Sequence, residues 1–186
     1  MLLKQFGSLE NIQKASLAEL ISLPECATSL QKNSILTKKL AKTESENFSL
    51  QTFKEIAKLN SIFILIGSLP IKAHDKLVNR SFLVGPEGNV LYKYDKIHLF
   101  DVELPNGDIF RESDTYLPGN KAVIAEIKRN KVKIGMTITS LEDRYCSYSC
   151  GTTRAMKKGS CSTTNFIISE CNYMAIKLGI NVKIYG

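Results

Sequence analysis

Ser61-Ile62-Phe63-Ile64-Leu65-Ile66-Gly67 is a run of β-branched, leucine and phenylalanine side chains closed by a glycine, with Pro70 soon after. The run is too short for a buried helix and has no polar face to turn toward water, so it reads as a strand buried on both sides. A sheet core therefore starts here. On its C-terminal side, residues 78 to 84 and 89 to 94 flank Gly85-Pro86-Glu87-Gly88, whose proline and glycines supply turn geometry, and together they predict a β-hairpin. Residues 122 to 127 and 132 to 138 repeat the arrangement around Lys128-Arg129-Asn130-Lys131. On the N-terminal side, Phe48, Leu50, Phe53, Ile56, Ala57 and Leu59 fall on one face of a helix, with Lys54, Glu55 and Lys58 turned to water. Residues 28 to 47 are polar and lysine-rich, a surface loop with a short helix. Leu9, Ile12, Leu17, Leu20 and Ile21 recur at helical spacing behind Ser8 as N-cap, which predicts an amphipathic helix over 9 to 21, ended by Leu23-Pro24. This order of elements gives an α/β (α+β) fold, a mixed sheet with helices on one face. Residues 61 to 67, 78 to 84, 89 to 94 and 132 to 138 are expected in one contiguous sheet.

The 186 residues suit one ordinary domain, and 44% hydrophobic content is enough for a packed core. The formal charge of +7 admits anionic partners, but the basic residues are scattered and form no long cationic run, which argues against nucleic acid. No stretch approaches the roughly 18 apolar residues of a membrane helix, and Met1-Leu2-Leu3-Lys4 leads into no signal-type apolar core, so a cytoplasmic protein is expected. Cys26 stands alone, whereas Cys146, Cys150, Cys161 and Cys171 all fall in the last quarter. Their spacings lack the paired C-x2-C knuckles of structural zinc sites, and no metal is expected.

Two further stretches carry chemistry. Leu23-Pro24-Glu25 puts a carboxylate just after an apolar segment. Tyr94-Asp95-Lys96-Ile97-His98-Leu99-Phe100-Asp101-Val102-Glu103 puts a lysine at the end of a strand-like one. Together with Ile66-Gly67-Ser68-Leu69-Pro70, Asn79-Arg80-Ser81-Phe82, Gly85-Pro86-Glu87-Gly88 and Arg111-Glu112-Ser113-Asp114-Thr115-Tyr116 before Pro118-Gly119, they stand in the order found in the nitrilase/amidase superfamily of carbon-nitrogen hydrolases. The chain resembles the ω-amidase-like branch of that superfamily from about residue 20 to 138. The resemblance implies an αββα sandwich, here partial, and a Glu-Lys-Cys site. In that site Glu25 is the base and proton shuttle and Lys96 the cation for the tetrahedral oxyanion. It assigns His98 to the structure beside the site, implies a small-molecule amide substrate and no cofactor, and allows a family-type homo-oligomer, which an altered C-terminus disfavours. The Glu25 and Lys96 motifs are expected to end neighbouring strands and so to bring the two side chains together.

Relatives of this kind continue the strand equivalent to Lys133-Ile134-Gly135-Met136-Thr137-Ile138 into Cys-Tyr-Asp, whereas this chain reads Thr139-Ser140-Leu141. Thr139 thus stands where the nucleophile is expected, and Cys146, seven residues later, is the candidate for a displaced one. A hydroxyl is far less acidic than a thiol, and the same base activates it less. Beyond residue 138 the family pattern stops, serine and threonine accumulate, and no counterpart of the segment carrying the family's additional supporting glutamate is recognisable. Two regions follow: 1–138, a partial carbon-nitrogen hydrolase domain, and 139–186, an atypical tail expected to pack less completely. The first strand of the family fold is expected to be missing and the chain to be truncated. Three functions remain open at this point. They are hydrolysis of a small linear amide or nitrile to a carboxylate and ammonia, a non-catalytic remnant or interaction protein of the same fold, and a basic nucleic-acid-binding module. The last draws on residues 6 to 20, which also resemble the first half of a helix-hairpin-helix element.

Overall fold

The structure, a computed structural model, describes residues 19–28, 34–103, 107–127, 132–138 and 182–184. Its centre is a five-stranded mixed sheet. The strands are β1 (Leu20–Ser22), β2 (Phe63–Ala73), β3 (Lys76–Val84), β4 (Val90–Asp95) and β9 (Val182–Ile184), in the order β4-β3-β2-β1-β9. β1 runs parallel to both β2 and β9, while β2–β3 and β3–β4 are antiparallel hairpins. β1, β2 and β4 therefore point the same way, and the segments leaving β1 and β4 emerge at one end of the sheet.

Among the described residues two helices precede β2: α1 (Ser34–Leu40) and α2 (Phe48–Asn60). α2 is capped at its start by Asn47, whose side chain accepts from Leu50 N at 3.0 Å, and stops where Ser61 turns left-handed at φ 52°. Its Leu50, Phe53 and Ala57 are buried against Ile21, Ile64, Ile66, Leu69, Ile71, Phe82 and Val84 on one face of the sheet. The apolar face is narrower than its sequence spacing implies: Phe48 and Leu59 are 76% and 83% exposed, because at about 3.6 residues per turn they fall on the side of the helix away from Leu50, Phe53 and Ala57.

The opposite face of the sheet is covered by a hairpin, β7 (Val123–Ile127) with β8 (Val132–Met136). Ala125, Ile127, Ile134, Met136 and Ile138 pack there on Leu20, Leu65, Leu83 and Tyr94. This corrects the expectation that residues 132 to 138 belong to the central sheet. The hairpin pairs only within itself among the described residues and forms a second β layer, so helix, sheet and hairpin stack in that order. A smaller hairpin, β5 (Asp101–Glu103) with β6 (Ile109–Arg111), follows β4 and leads into a 3-10 turn at Glu112–Asp114.

The helix expected over 9 to 21 is corrected at its end. Leu20 and Ile21 lie in β1 and are buried in opposite faces of the sheet, the alternation of a strand. Residues 9 to 18 lie outside the described residues. So does nearly all of the tail from 139 on, but β9 belongs to it, so the tail contributes one strand to the sheet.

β2 also runs on past Gly67 and through Pro70, to Ala73. Between Ile66 and Leu69 its register against β3 slips by one residue, with Ile66 opposite Phe82 but Leu69 opposite Arg80. The extra residue is a β-bulge. It changes the phase of the strand, so that Ile64 and Ile66 before it and Leu69 and Ile71 after it all face α2. Pro70 stands opposite Asn79, whose carbonyl bonds on the β4 side, to Lys96 N at 2.9 Å. The N–H that proline lacks is therefore not needed between these two strands at this point.

Candidate active site

Glu25 lies in the turn that leaves β1, and the β2 bulge holds that turn. Leu23 N donates to Leu65 O at 2.9 Å and Ala27 N to Ser68 O at 3.1 Å, while Cys26 N donates to the buried Ser68 hydroxyl at 2.9 Å. Gly67 lies so close to the carbonyls of Leu23 and Pro24 that a Cβ there would overlap both. Cys26 is held at φ 52°.

Lys96 leaves β4 at the same end of the sheet. Its N–H donates to Asn79 O, and its own carbonyl accepts from Gly119 N at 2.8 Å. The strand end before it is fixed by Arg80, which grips both oxygens of Asp95 at 2.6 and 2.8 Å and reaches Glu44 at 3.0 Å. The hydrogen bonds it donates to Asp95, with the charges of Asp95 and Glu44, hold the guanidinium more firmly protonated than an exposed arginine.

The structure brings the two expected residues together, with Lys96 Nζ 3.5 Å from Glu25 Oε1. The route differs from the one expected, since β1 and β4 are not neighbours: β2 and β3 lie between them. The gap is bridged from β3 by Asn79, which donates from Nδ2 to Glu25 Oε1 at 2.7 Å and accepts the Lys96 N–H on its carbonyl.

A second carboxylate, from a segment given no chemical role by the sequence alone, completes the cluster. Glu112 Oε2 lies 3.0 Å from Lys96 Nζ and accepts from Phe100 N at 2.7 Å. The 3-10 turn that carries it is held by Lys76, donating to Ser113 O at 2.7 Å, and Lys38, donating to Asp114 O at 3.1 Å. Glu112 and Asn79 lie in Arg111-Glu112-Ser113-Asp114 and Asn79-Arg80-Ser81-Phe82, segments in which nothing local singles out either residue. Only the two charged ends of the site, Glu25 and Lys96, had a chemistry attached to them.

Lys96 is 4% exposed and lies between two carboxylates, so its desolvated charge is compensated on both sides. Cys26, although adjacent to Glu25, is poorly suited to attack: burial and the Glu25 charge push its thiol up to about 11, leaving it protonated at neutral pH. Tyr116 is likewise raised, first by burial and then by the charges that Cys26, Glu112 and Glu25 carry when ionised. His98 is exposed two positions beyond Lys96. Cys146 and Thr139 lie outside the described residues. A groove of about 270 Å³ between α1 and β2, lined by Thr37, Leu40, Phe48 and Pro70 among others, takes in neither Glu25 nor Lys96. No described helix is long and apolar enough to cross a membrane.

The chain is similar to known proteins. The chain is 40% identical over 123 residues to nitrilase homolog 2 of Dictyostelium discoideum, covering 65% of this chain and 36% of that protein. It is 34% identical over 137 residues to the omega-amidase NIT2 of Mus musculus, covering 72% and 49% respectively. It thus spans between a third and a half of the length of these relatives. Among solved structures, the NitFhit protein of C. elegans superposes with a TM-score of 0.57 at 26% identity, over 66% of this chain and 31% of that one. The carbon-nitrogen hydrolase pattern matches residues 7–140, which take in the Glu25 turn, the Lys96 strand end and the Glu112 turn alike, and on that match the chain belongs to the carbon-nitrogen hydrolase family.

Proposed function

We propose that this chain carries the proton-transfer and oxyanion-binding part of an amide-hydrolysing site, for a small linear amide or nitrile. The observation that carries the reading is the buried Lys96 between Glu25 and Glu112. Amide hydrolysis through a thioester needs a base for the thiol proton, a positive charge where the carbonyl oxygen becomes negative, and an acid for the leaving nitrogen. Glu25 takes the thiol proton as sulfur attacks the carbonyl carbon. Lys96 stabilises the oxyanion, and the C–N bond breaks as Glu25 returns the proton to the departing ammonia. Water then attacks the thioester with Glu25 again as base, releasing the carboxylate and restoring the thiol. Glu112 keeps the Lys96 ammonium aimed. Kinship to a protein named as an omega-amidase supports this substrate class.

The nucleophile separates this chain from that scheme. Thr139 stands in the sequence where the family's cysteine is expected, and turnover by the unmodified chain is accordingly expected to be unmeasurable. Ammonia release from small linear amides tests the reading on a variant carrying Thr139→Cys, Ser140→Tyr and Leu141→Asp together. Release that disappears with Glu25→Gln supports it. A folded triple variant that neither releases ammonia nor forms an acyl adduct detectable by mass overturns it. Strong hydrolysis by the unmodified chain, lost in Cys146→Ala, would instead move the nucleophile to Cys146.

A further inference from the structure

Asn79 is 3% exposed and touches both charged partners of the site. Its Nδ2 donates to Glu25 Oε1 at 2.7 Å, and its carbonyl accepts from Lys96 N at 2.9 Å. Its own Oδ1 is buried and finds no hydrogen-bond partner among the described residues. Rotating the carboxamide would satisfy nothing, since it would set Oδ1 against a carboxylate oxygen, two acceptors at hydrogen-bond distance. The orientation is therefore fixed by Glu25. The Lys96 contact falls on the same Oε1. The two oxygens of Glu25 are thus not equivalent.

We propose that Asn79 is a positioning residue that loads Oε1 of Glu25 and thereby reserves Oε2 as the oxygen that exchanges protons with the nucleophile and the leaving nitrogen. The proposal rests on the reading of Glu25 as the base. With both Asn79 and Lys96 on Oε1, the carboxylate cannot rotate without giving up a charge-assisted hydrogen bond, so proton transfer starts from a single geometry rather than from two. Asn79 performs this from β3, the strand whose next residue, Arg80, fixes Asp95 ahead of Lys96. One dipeptide thus sets the base and the cation against each other. Among the described residues, the charged and titratable groups around the pair are Lys96 beyond β4, Glu112 on the 3-10 turn, and Cys26 and Tyr116.

Infrared spectroscopy of the full chain with ¹³C-labelled glutamate side chains tests this without requiring turnover. The carboxylate bands of Glu25 are isolated as the difference between the chain and Glu25→Gln. Unequal loading of the two oxygens widens the separation of the symmetric and antisymmetric stretches. That separation is expected to be wide in the parent and to collapse in Asn79→Leu. In Asn79→Asp, which places an oxygen where the nitrogen stood, the two carboxyls are expected to share a proton and show a carboxylic-acid carbonyl band at neutral pH. Should Asn79→Leu fail to fold, the Asp variant carries the test alone. Equal loading in the parent, or bands unchanged in both variants, would overturn the proposal whatever the turnover. Bands that respond as expected in a chain whose thiol-bearing variant never acylates would leave the positioning of Glu25 standing and remove its role as the base.

Discussion

Gly119 sits directly on Asp95: its N–H donates to the next carbonyl, that of Lys96, at 2.8 Å, and no room is left for a methyl group between the two backbones. The loop after the 3-10 turn therefore presses on the strand end that presents Lys96. Gly119→Ala must push these backbones apart, and a loss of about 1–3 kcal/mol in denaturant unfolding is expected. The stronger expectation is positional, a Lys96 Nζ to Glu25 distance longer than 3.5 Å in a crystal structure of the variant.

Removing the cation leaves two carboxylates with nothing between them. Lys96→Met keeps the length of the side chain and deletes its charge, and should cost about 3 kcal/mol of stability at neutral pH, toward the lower end of the range for half of a buried pair because Glu25 retains some contact with water. Lys96→Met with Glu25→Gln and Glu112→Gln together should recover most of that loss in urea melts. No recovery would mean that packing, not charge, sets the cost.

Arg80 and Asp95 meet through two parallel hydrogen bonds in a half-buried setting. A double-mutant cycle with Arg80→Ala and Asp95→Ala should give a coupling of about 1 kcal/mol, above that of a solvent-exposed pair, because of the two-pronged geometry. Lys93, which also reaches Glu44 but is about half exposed, should couple more weakly in the same assay.

The Cys26 thiol predicts a response to alkali. Its folded value, about 11 against an ordinary 9, lies above that of the unfolded chain, so the unfolded state loses its proton first as pH rises. The stability this thiol contributes is intact below pH 9 and is lost progressively toward pH 11, at a slope of at most about 1.4 kcal/mol per pH unit. Cys26→Ala should flatten the fall of the unfolding midpoint across that window relative to the parent. Tyr116 is raised as well, so some slope should remain.

The hairpins were legible in the sequence because turn residues and apolar runs alternate at short range, and β3 and β4 lie close to where those signals put them. The layer occupied by β7 and β8 was not, since the same alternation serves a strand in either sheet and only packing decides which. β1 was read as the end of a helix because a three-residue strand is too short to carry a period of its own. In the site, Glu25 and Lys96 stood out through motif order. Glu112 and Asn79 did not, because their importance comes from contacts with residues far away in the chain, which local spacing does not encode.

The slipped register at Gly67 and Ser68 makes β2 unusually intolerant of a change in length. Elsewhere in a sheet the loss of one residue can be absorbed at a strand end. Deleting either of these two would remove the phase change that lets both halves of β2 face α2, so Leu69 and Ile71 could keep their places only if Ile64 and Ile66 gave up theirs. Deleting Ser68 would also withdraw the hydroxyl and carbonyl on which the Glu25 turn rests. A single lost codon at this point would therefore turn half of a core strand inside out and release the candidate base in one event, whereas substitutions there are felt mainly as local crowding.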